Sequence, residues 1–560
     1  MPLMAQAKGG CAALHDACLA AGFSASGNAN KGAKVLRDCV DPLLNGIAAP
    51  GSGKVPLPVV DKAVLAACQA EKAKAGKAAN STPANGQTIG AAPVAARAMP
   101  AGAARGPNIV MILADDFSLD LMSEQNSVLT EAMPNLAQMM KEGMTFSNYF
   151  VTDSLCCPSR SSIFTGLLPH NSGVITNRPP DGGYQAFMDH KDDAKTFAVA
   201  LHGAFYATGM MGKYLNGYEI ELGVPQGWSE WAVAANGYPN FNYMLNHNGT
   251  VISPKPHLTD ALSALGQDFI KASAASPFFL ELATFSPHGP YTPPARYADA
   301  FPGLTYPQSP AYGVRPDDAA PAWLKNIPAL DKHFGTKIDG IYRLRVQSIK
   351  GIDDMIGAVR KTLADQGLTG NSYVIFTSDN GYHMGEYSLR AGKMTPFDTD
   401  IHVPMVVVGP KVPAGKTVED IVMNIDLNPT FVALAGLPAS ATVDGQSLLG
   451  LLQGGAGPGR AIAVVEHKHT KQSVDDPDVT DAKAGDPPTY VALRMKDALY
   501  VEYVDTNEVS YYDLTKDPYE LHNIAATLPA AKLKALHDAL LANHSCAGAS
   551  QCAAAQAMTP

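Results

Sequence analysis

At 560 residues and 58.8 kDa, with 46% hydrophobic and 17% charged residues, the chain has apolar content for roughly two to four packed units and too much for an intrinsically disordered protein. A net charge of −10 and a sequence pI near 5.8 argue against a broad electrostatic grip on nucleic acid or anionic lipid. No apolar run approaches the roughly 18 residues of a membrane-spanning helix.

The first elements are marked by cysteine. Cys11, Cys18, Cys39 and Cys68 fall in residues 1–75, where short helix-like stretches alternate with Gly- and Pro-bearing breaks. Their spacing predicts a small helical unit stapled by disulfides, not a CxxC zinc site. Residues 76–106, rich in Ala, Gly, Pro, Ser and Asn without periodicity, read as a linker. Residues 1–10 lack the apolar stretch of a signal peptide. Paired cysteines near both ends, the last two in Cys546-Ala-Gly-Ala-Ser-Gln-Cys552, nevertheless predict an oxidising, periplasmic or extracellular compartment.

At Asn108 the texture changes. Ile109–Leu113, Phe278–Leu280, Tyr373–Phe376 and Val403–Val408 are apolar runs without alternation, as expected of strands buried on both faces. Helical segments separate them; in one, Ile349, Ile352, Ile356, Val359 and Leu363 recur at steps of three and four before Gly367. The alternation predicts an α/β sandwich over residues 107–459, with a large, mostly parallel sheet and helices on both faces. The proline-rich stretch 302–330 reads as a surface excursion. From 460 the segments are short, β-rich and closely spaced, which predicts a small antiparallel sheet closed by a helix near 529–542 and followed by the Cys546/Cys552 tail.

In parallel sheets, ligands gather beyond the carboxyl ends of strands. Ile109–Leu113 runs into Asp115-Asp116, and Tyr373–Phe376 into Asp379-Asn380. If those strands are neighbours, three carboxylates and an amide oxygen meet, an arrangement that a hard divalent cation, calcium or magnesium, would neutralise. Asp192-Asp193, Asp317-Asp318, Asp353-Asp354 and Asp475-Asp476 follow no such strand and read as solvated pairs or helix caps. Between the acidic clusters lies Cys156-Cys157-Pro158-Ser159-Arg160, in which Pro158 is suited to open a helix whose free N–H groups face Cys156, with Arg160 one turn on. By local chemistry, this string is equally an anion-binding nucleophile site or a pair of structural or redox cysteines.

Cys156-Cys157-Pro158-Ser159-Arg160, followed by Phe164-Thr165-Gly166, resembles the signature of the formylglycine-dependent sulfatase family. Residues 108–116 and 376–385 resemble its two metal segments. Gly212-Lys213-Tyr214-Leu215-Asn216, Ser286-Pro287-His288-Gly289-Pro290 and the stretch from Lys393 to Pro404 resemble its substrate segments. The likeness spans roughly residues 107–525 and is greatest to the N-acetylglucosamine-6-sulfatase branch. It implies an alkaline-phosphatase-like sandwich, and a cation, Ca2+ ahead of Mg2+, held by Asp115, Asp116, Asp379, Asn380 and residue 156. It also implies that Cys156 is converted to formylglycine by a maturation enzyme, and that the substrate is a sulfated small molecule or glycan. Attack by the hydrated formylglycine on sulfur would be assisted by Arg160, Lys213, His288 and Lys393. Asn216 and His383 are further candidates for substrate contacts, and Leu215 stands where many members have histidine. Two other readings of the scaffold are a phosphate-ester or phosphonate hydrolase and a non-catalytic binder of sulfated glycans.

Overall fold

A strand buried along its whole length shows no face to water, and such strands form the centre of this protein. The structure, a computed structural model, describes residues 105–122, 128–235, 240–470 and 482–560, with Leu14, Ala17, Cys18, Leu43, residues 60–66 and Cys68. In chain order the strands are β1 (Asn108–Ala114), β2 (Met144–Phe146), β3 (Tyr149–Phe150), β4 (Ala207–Gly212), β5 (Glu230–Ala234), β6 (Leu245–His247), β7 (Thr250–Ile252) and β8 (Phe278–Ala283). They continue with β9 (Ser372–Ser378), β10 (Met405–Val408), β11 (Lys416–Val418), β12 (Val422–Met423), β13 (Ile462–His467), β14 (Tyr490–Met495), β15 (Ala498–Tyr503) and β16 (Glu508–Asp513).

Ten of them form one sheet in the order β11-β2-β10-β9-β1-β8-β4-β5-β6-β7. The five central strands from β9 to β5 are all parallel, and antiparallel pairs occur only towards the edges. Alternate residues of β1 feed two different cores: Ile109, Met111 and Leu113 pack on one face, Val110, Ile112 and Ala114 on the other. The helices that matter here are α1 (Pro134–Glu142), α2 (Cys156–Thr165), α3 (Leu258–Ala272), α4 (Lys332–Asp365) and α5 (Ala530–His544). α4 buries Ile349, Ile352, Ile356, Val359 and Leu363 together with α3 residues in the second core.

β13 to β16 form the smaller antiparallel sheet, and α5 closes it. Ile462, Leu493, Leu499 and Leu536 belong to the same apolar cluster as Met111, Phe150 and Phe397. The boundary expected at 459/460 thus falls between two sheets that share one core, within a compact unit of residues 89–470 and 480–560. A second unit comprises residues 1–88 and 471–479. In it, Leu14, Cys18 and Cys68 are buried and both cysteines are disulfide-bonded. Cys11, Cys39, Asp475, Asp476 and most of the expected linker lie outside the described residues.

Two expectations about exposure change. The 302–330 excursion buries Tyr306, Ala311, Ala320, Leu324 and Ile327, because proline restricts backbone shape without keeping its neighbours wet. Of the acidic pairs, Asp192 and Asp193 are buried and bonded to Lys195 and Gln226, and Asp353 is buried with its carboxylate accepting the Asn135 and Leu136 N–H groups at 3.2 and 2.9 Å, capping the first turn of α1.

Candidate active site

Four adjacent parallel strands, β9, β1, β8 and β4, end along one edge, with Ser378 beside Ala114, Leu113 beside Ala283 and Ala283 beside Gly212. The residues that follow them are Asp379-Asn380, Asp115-Asp116, the loop to His288, and Lys213. Gly212 is required for this convergence: its φ is +105°, and a Cβ there would lie 1.9 Å from the Ala283 carbonyl oxygen. Asp116 takes the left-handed conformation too, at φ +60°, and Arg345 of α4 donates through Nη2 to its carbonyl at 2.6 Å.

α2 delivers Cys156 from the other side. The helix starts at Cys156, with Pro158 inside its first turn, and ends at Gly166 in the left-handed region. All ten of its residues are buried. The Cys156 thiol lies 3.3 Å from Asp115 Oδ1, and Lys393 Nζ donates to its sulfur at 2.8 Å and to Asp116 Oδ1 at 2.8 Å. Lys213 Nζ donates to Asp115 Oδ2 at 2.7 Å. Arg160 donates from Nε to Asp379 Oδ2 at 2.8 Å and from Nη1 to the Lys213 carbonyl at 2.9 Å. His288 Nδ1 donates to the Gly289 carbonyl at 2.7 Å, which turns Nε2 towards Asp116 Oδ2 at 3.5 Å.

Three carboxylates and three permanent cations are thus packed together out of water, and their charges set one another. Burial and the neighbouring Asp379 push the Asp115 carboxyl up to about 6, against the pull of Lys213, His288 and Arg160. Burial also works against ionisation of Asp116 and Asp379. Lys393 and His288 nevertheless hold Asp116 below the ordinary range, and Arg160, Lys213 and Lys393 bring Asp379 down to about 2. Cys157 differs from its neighbour: buried against Ser161 and the Asn216 backbone, its thiol is pushed up to about 12 and stays protonated.

The cluster has a place for a cation. Ligand atoms of Asp115, Asp116, Cys156 and His288 lie within 4.8 Å of one another. Asn380 Nδ2 donates to Asp116 Oδ1 at 2.7 Å and to the Gly381 carbonyl at 2.8 Å, while its Oδ1 is buried without a hydrogen-bond donor among the described residues. A buried amide oxygen with no donor, beside three carboxylates, suits a hard, oxygen-seeking ion.

Ten of the eleven candidate residues gather at this edge of the sheet or against the cysteine helix, and the exception is His383. Its Nδ1 faces Asp400 at 2.9 and 3.0 Å, and its Nε2 faces the Ala484 carbonyl at 2.8 Å. Both nitrogens meet acceptors, so the buried ring is an imidazolium that ties three segments together, with each nitrogen already engaged within the protein. What it holds is the Lys393 loop. The His383 and Gly392 backbones pair at 2.9 and 3.0 Å, Thr395 bonds Asp400 through N and Oγ1 at 3.0 and 2.7 Å, and Tyr490 of β14 donates to the Met394 carbonyl at 3.2 Å. Asn216 is also less direct than expected: it is buried, its carbonyl accepts the Tyr184 N–H at 2.7 Å, and its backbone meets the Cys157 thiol. Leu215 lies in the apolar core.

Arg345 does not stand out in the sequence as a site residue, yet a signal is there. It interrupts the apolar stripe of α4 formed by Ile338, Tyr342, Val346 and Ile349, and a charge on a buried stripe needs a partner. Glu281 in β8 is a second case: both its oxygens are buried without hydrogen bonds among the described residues, and burial raises its carboxyl to about 8.

The sulfatase family model matches residues 107–437. N-acetylglucosamine-6-sulfatase of Capra hircus is 32% identical over 485 residues, covering 80% of this chain and 85% of that protein. An arylsulfatase of Volvox carteri is 29% identical over 79% of this chain and 75% of its own length. Among solved structures, an enzyme in complex with its substrate D-glucosamine-2-N,6-O-disulfate superposes with a TM-score of 0.66 at 22% identity, covering 78% of this chain and 97% of the other. A phosphonate monoester hydrolase of Agrobacterium radiobacter gives 0.59 at 22% identity, covering 78% and 96%.

Proposed function

The chain belongs to the sulfatase family, and on that basis we propose that it hydrolyses sulfate monoesters of sugars through an oxygen nucleophile generated at Cys156 and a divalent cation held beside it. The observation that carries this reading is the convergence on one sulfur atom: Asp115 at 3.3 Å, Lys393 at 2.8 Å, and the start of a buried helix.

Asp115, Asp116, Asp379 and Asn380, with residue 156, would hold a Ca2+ or Mg2+ ion. When bound, the ion polarises sulfate oxygens, and formylglycine at position 156 supplies the nucleophilic hydroxyl. Lys213 and Lys393, each already bonded to a carboxylate of the cluster, present ammonium groups to the remaining sulfate oxygens, where charge grows in the transition state. Arg160 keeps Asp379 ionised and fixes the Lys213 backbone. His288, with the proton on Nδ1 directed to Gly289, has Nε2 to exchange a proton with the leaving alcohol oxygen. The disulfide Cys546–Cys552, with Cys18 and Cys68 also bonded, supports an oxidising compartment, periplasmic or extracellular. Such a protein depends on a maturation enzyme acting on Cys156.

The test compares an aryl sulfate, an aryl phosphate and an aryl phosphonate at equal concentration, with and without a chelator. The sulfate is turned over fastest and chelation removes the activity; preferential turnover of the phosphonate would transfer the site to the other hydrolase class. N-acetylglucosamine 6-sulfate is the first sugar to assay, given the 32% identity to the goat enzyme.

Lys393 depends on His383 for its place. In His383→Leu the imidazolium is lost, Asp400 has one partner fewer, and the loop carrying Lys393 relaxes. A displacement of about 1 Å lowers kcat by roughly 10²-fold. Steady-state assay of this variant at matched folded fraction measures the effect, and an unchanged kcat would show that the loop needs no clamp.

A further inference from the structure

We propose that His170, Glu466 and His544 form a second divalent-metal site, suited to zinc, that fastens the C-terminal helix to the body of the protein. His170 lies in the short helix Pro169–Ser172 just beyond α2, Glu466 near the end of β13, and His544 is the last residue of α5. None of the three takes part in the chemistry at Cys156.

Their ligand atoms lie within 4.8 Å of one another. His170 Nδ1 is 2.6 Å and His544 Nδ1 2.7 Å from the same oxygen, Glu466 Oε1. What points to a cation is that two imidazoles converge on one carboxylate oxygen; the orientation of His170 by itself matches that of His383 and adds to this. His170 Nε2 sits 2.9 Å from the Cys546 carbonyl, an oxygen that can only accept, so the proton of a neutral ring belongs there. The Nδ1 lone pair is then aimed at a carboxylate oxygen. Lone pair against lone pair at 2.6 Å is repulsive until a positive charge, a second ring proton or a metal ion, sits between them. A metal-ligating histidine has this same arrangement, with its outer N–H given to a backbone carbonyl.

Glu466 is positioned as a ligand would be: it is buried, and its other oxygen accepts the His170 backbone N–H at 3.0 Å. Asn171 Nδ2 donates to the same Cys546 carbonyl at 2.8 Å, which secures the far side of the imidazole. Two imidazoles and one carboxylate, with solvent next to a His544 side chain that is 47% exposed, give three protein ligands and room for water as a fourth. This donor set is borderline-soft, whereas the oxygen-lined cluster at Asp115 is hard. Tetrahedral zinc, with bonds of about 2.0–2.2 Å, would set the ligand atoms roughly 3.3 Å apart. Binding would therefore lengthen both the His170–Glu466 and the His544–Glu466 contacts, now 2.6 and 2.7 Å, by somewhat less than about 1 Å each. The disulfide Cys546–Cys552 begins two residues after His544, so the metal and the disulfide would pin the same turn.

The experiment uses the full-length protein stripped of metal and saturated with calcium to occupy the Asp115 cluster. Zinc is titrated in, free zinc is removed by gel filtration, and the zinc retained is counted in the wild type and in His544→Ala. The expected result is one more zinc per chain in the wild type than in the variant. A zinc-dependent rise in thermal midpoint should likewise occur only in the wild type. Hydrolysis of an aryl sulfate is unchanged in His544→Ala, which keeps a failure of this site distinct from a failure of the catalytic reading. Equal zinc retention in the two proteins, or none in the wild type, would overturn the proposal and leave the cluster as a histidine–carboxylate hydrogen-bond triad. The variant's own midpoint without zinc verifies that it folds.

Discussion

Alanine at position 156 abolishes hydrolysis of an aryl sulfate, with kcat falling by about 10⁴-fold or more, while the protein stays folded. The sulfur of Cys156 touches both an acidic residue, Asp115, and the ammonium of a lysine, Lys393. Removing it leaves Lys393 bonded to Asp116 and Lys213 bonded to Asp115, so no buried charge loses its only partner. Stability therefore changes by roughly 1 kcal/mol, the scale of one small buried group. Cys156→Ser gives the same loss of turnover. The adjacent residue is the control: Cys157→Ala retains activity, because that thiol faces Ser161 and the Asn216 backbone and remains protonated. Comparable losses at both positions would contradict the assignment of the nucleophile. Rates of the three variants, read against circular dichroism for folding, decide it.

Arg160→Ala loses both activity and stability. The guanidinium is entirely buried and holds two groups at once, the Asp379 carboxylate and the Lys213 carbonyl. Without it, three carboxylates share two lysines, Asp379 loses its strongest partner, and its carboxyl rises from about 2. Breaking one side of a buried ion pair costs about 3–5 kcal/mol. Excess calcium recovers part of the stability, since the ion takes up the charge that Arg160 offset. Arg160→Lys rescues little, because a single ammonium cannot reach two acceptors lying in different directions. Denaturation with and without calcium measures both effects; an Arg160→Ala protein as stable as the wild type would mean that the cluster is balanced by something else.

Sequence patterns carry much of this site because its parts arise directly from local features. A short unbroken run such as Ile109–Leu113 suits a strand buried on both faces, and the residues just past such a strand stand at the carboxyl edge of the sheet. Asp115, Asp116, Asp379 and Asn380 are legible for that reason, and Lys213 and His288 come after β4 and β8 in the same way. His383 is misleading. Three residues past Asn380 is a short span of chain, but Gly381 and Tyr382 bond back to Asp400 and Thr399, which turns the histidine into the protein. The support of Lys393 is hidden for a different cause: it comes from Asp400, Ala484 and Tyr490, partners distant in sequence that no local pattern announces. Arg345 reaches Asp116 from a helix 229 positions away, and only its intrusion into an apolar stripe marks it.

The central claim is that residue 156 does not remain a cysteine. The most direct measurement is the mass of the tryptic peptide spanning residues 142–160, taken from protein produced in a host able to modify it. The expected mass is that of an aldehyde in place of the Cys156 thiol, with Cys157 still alkylated as a free cysteine. A peptide in which both residues alkylate as thiols, from protein that is fully active, would contradict it.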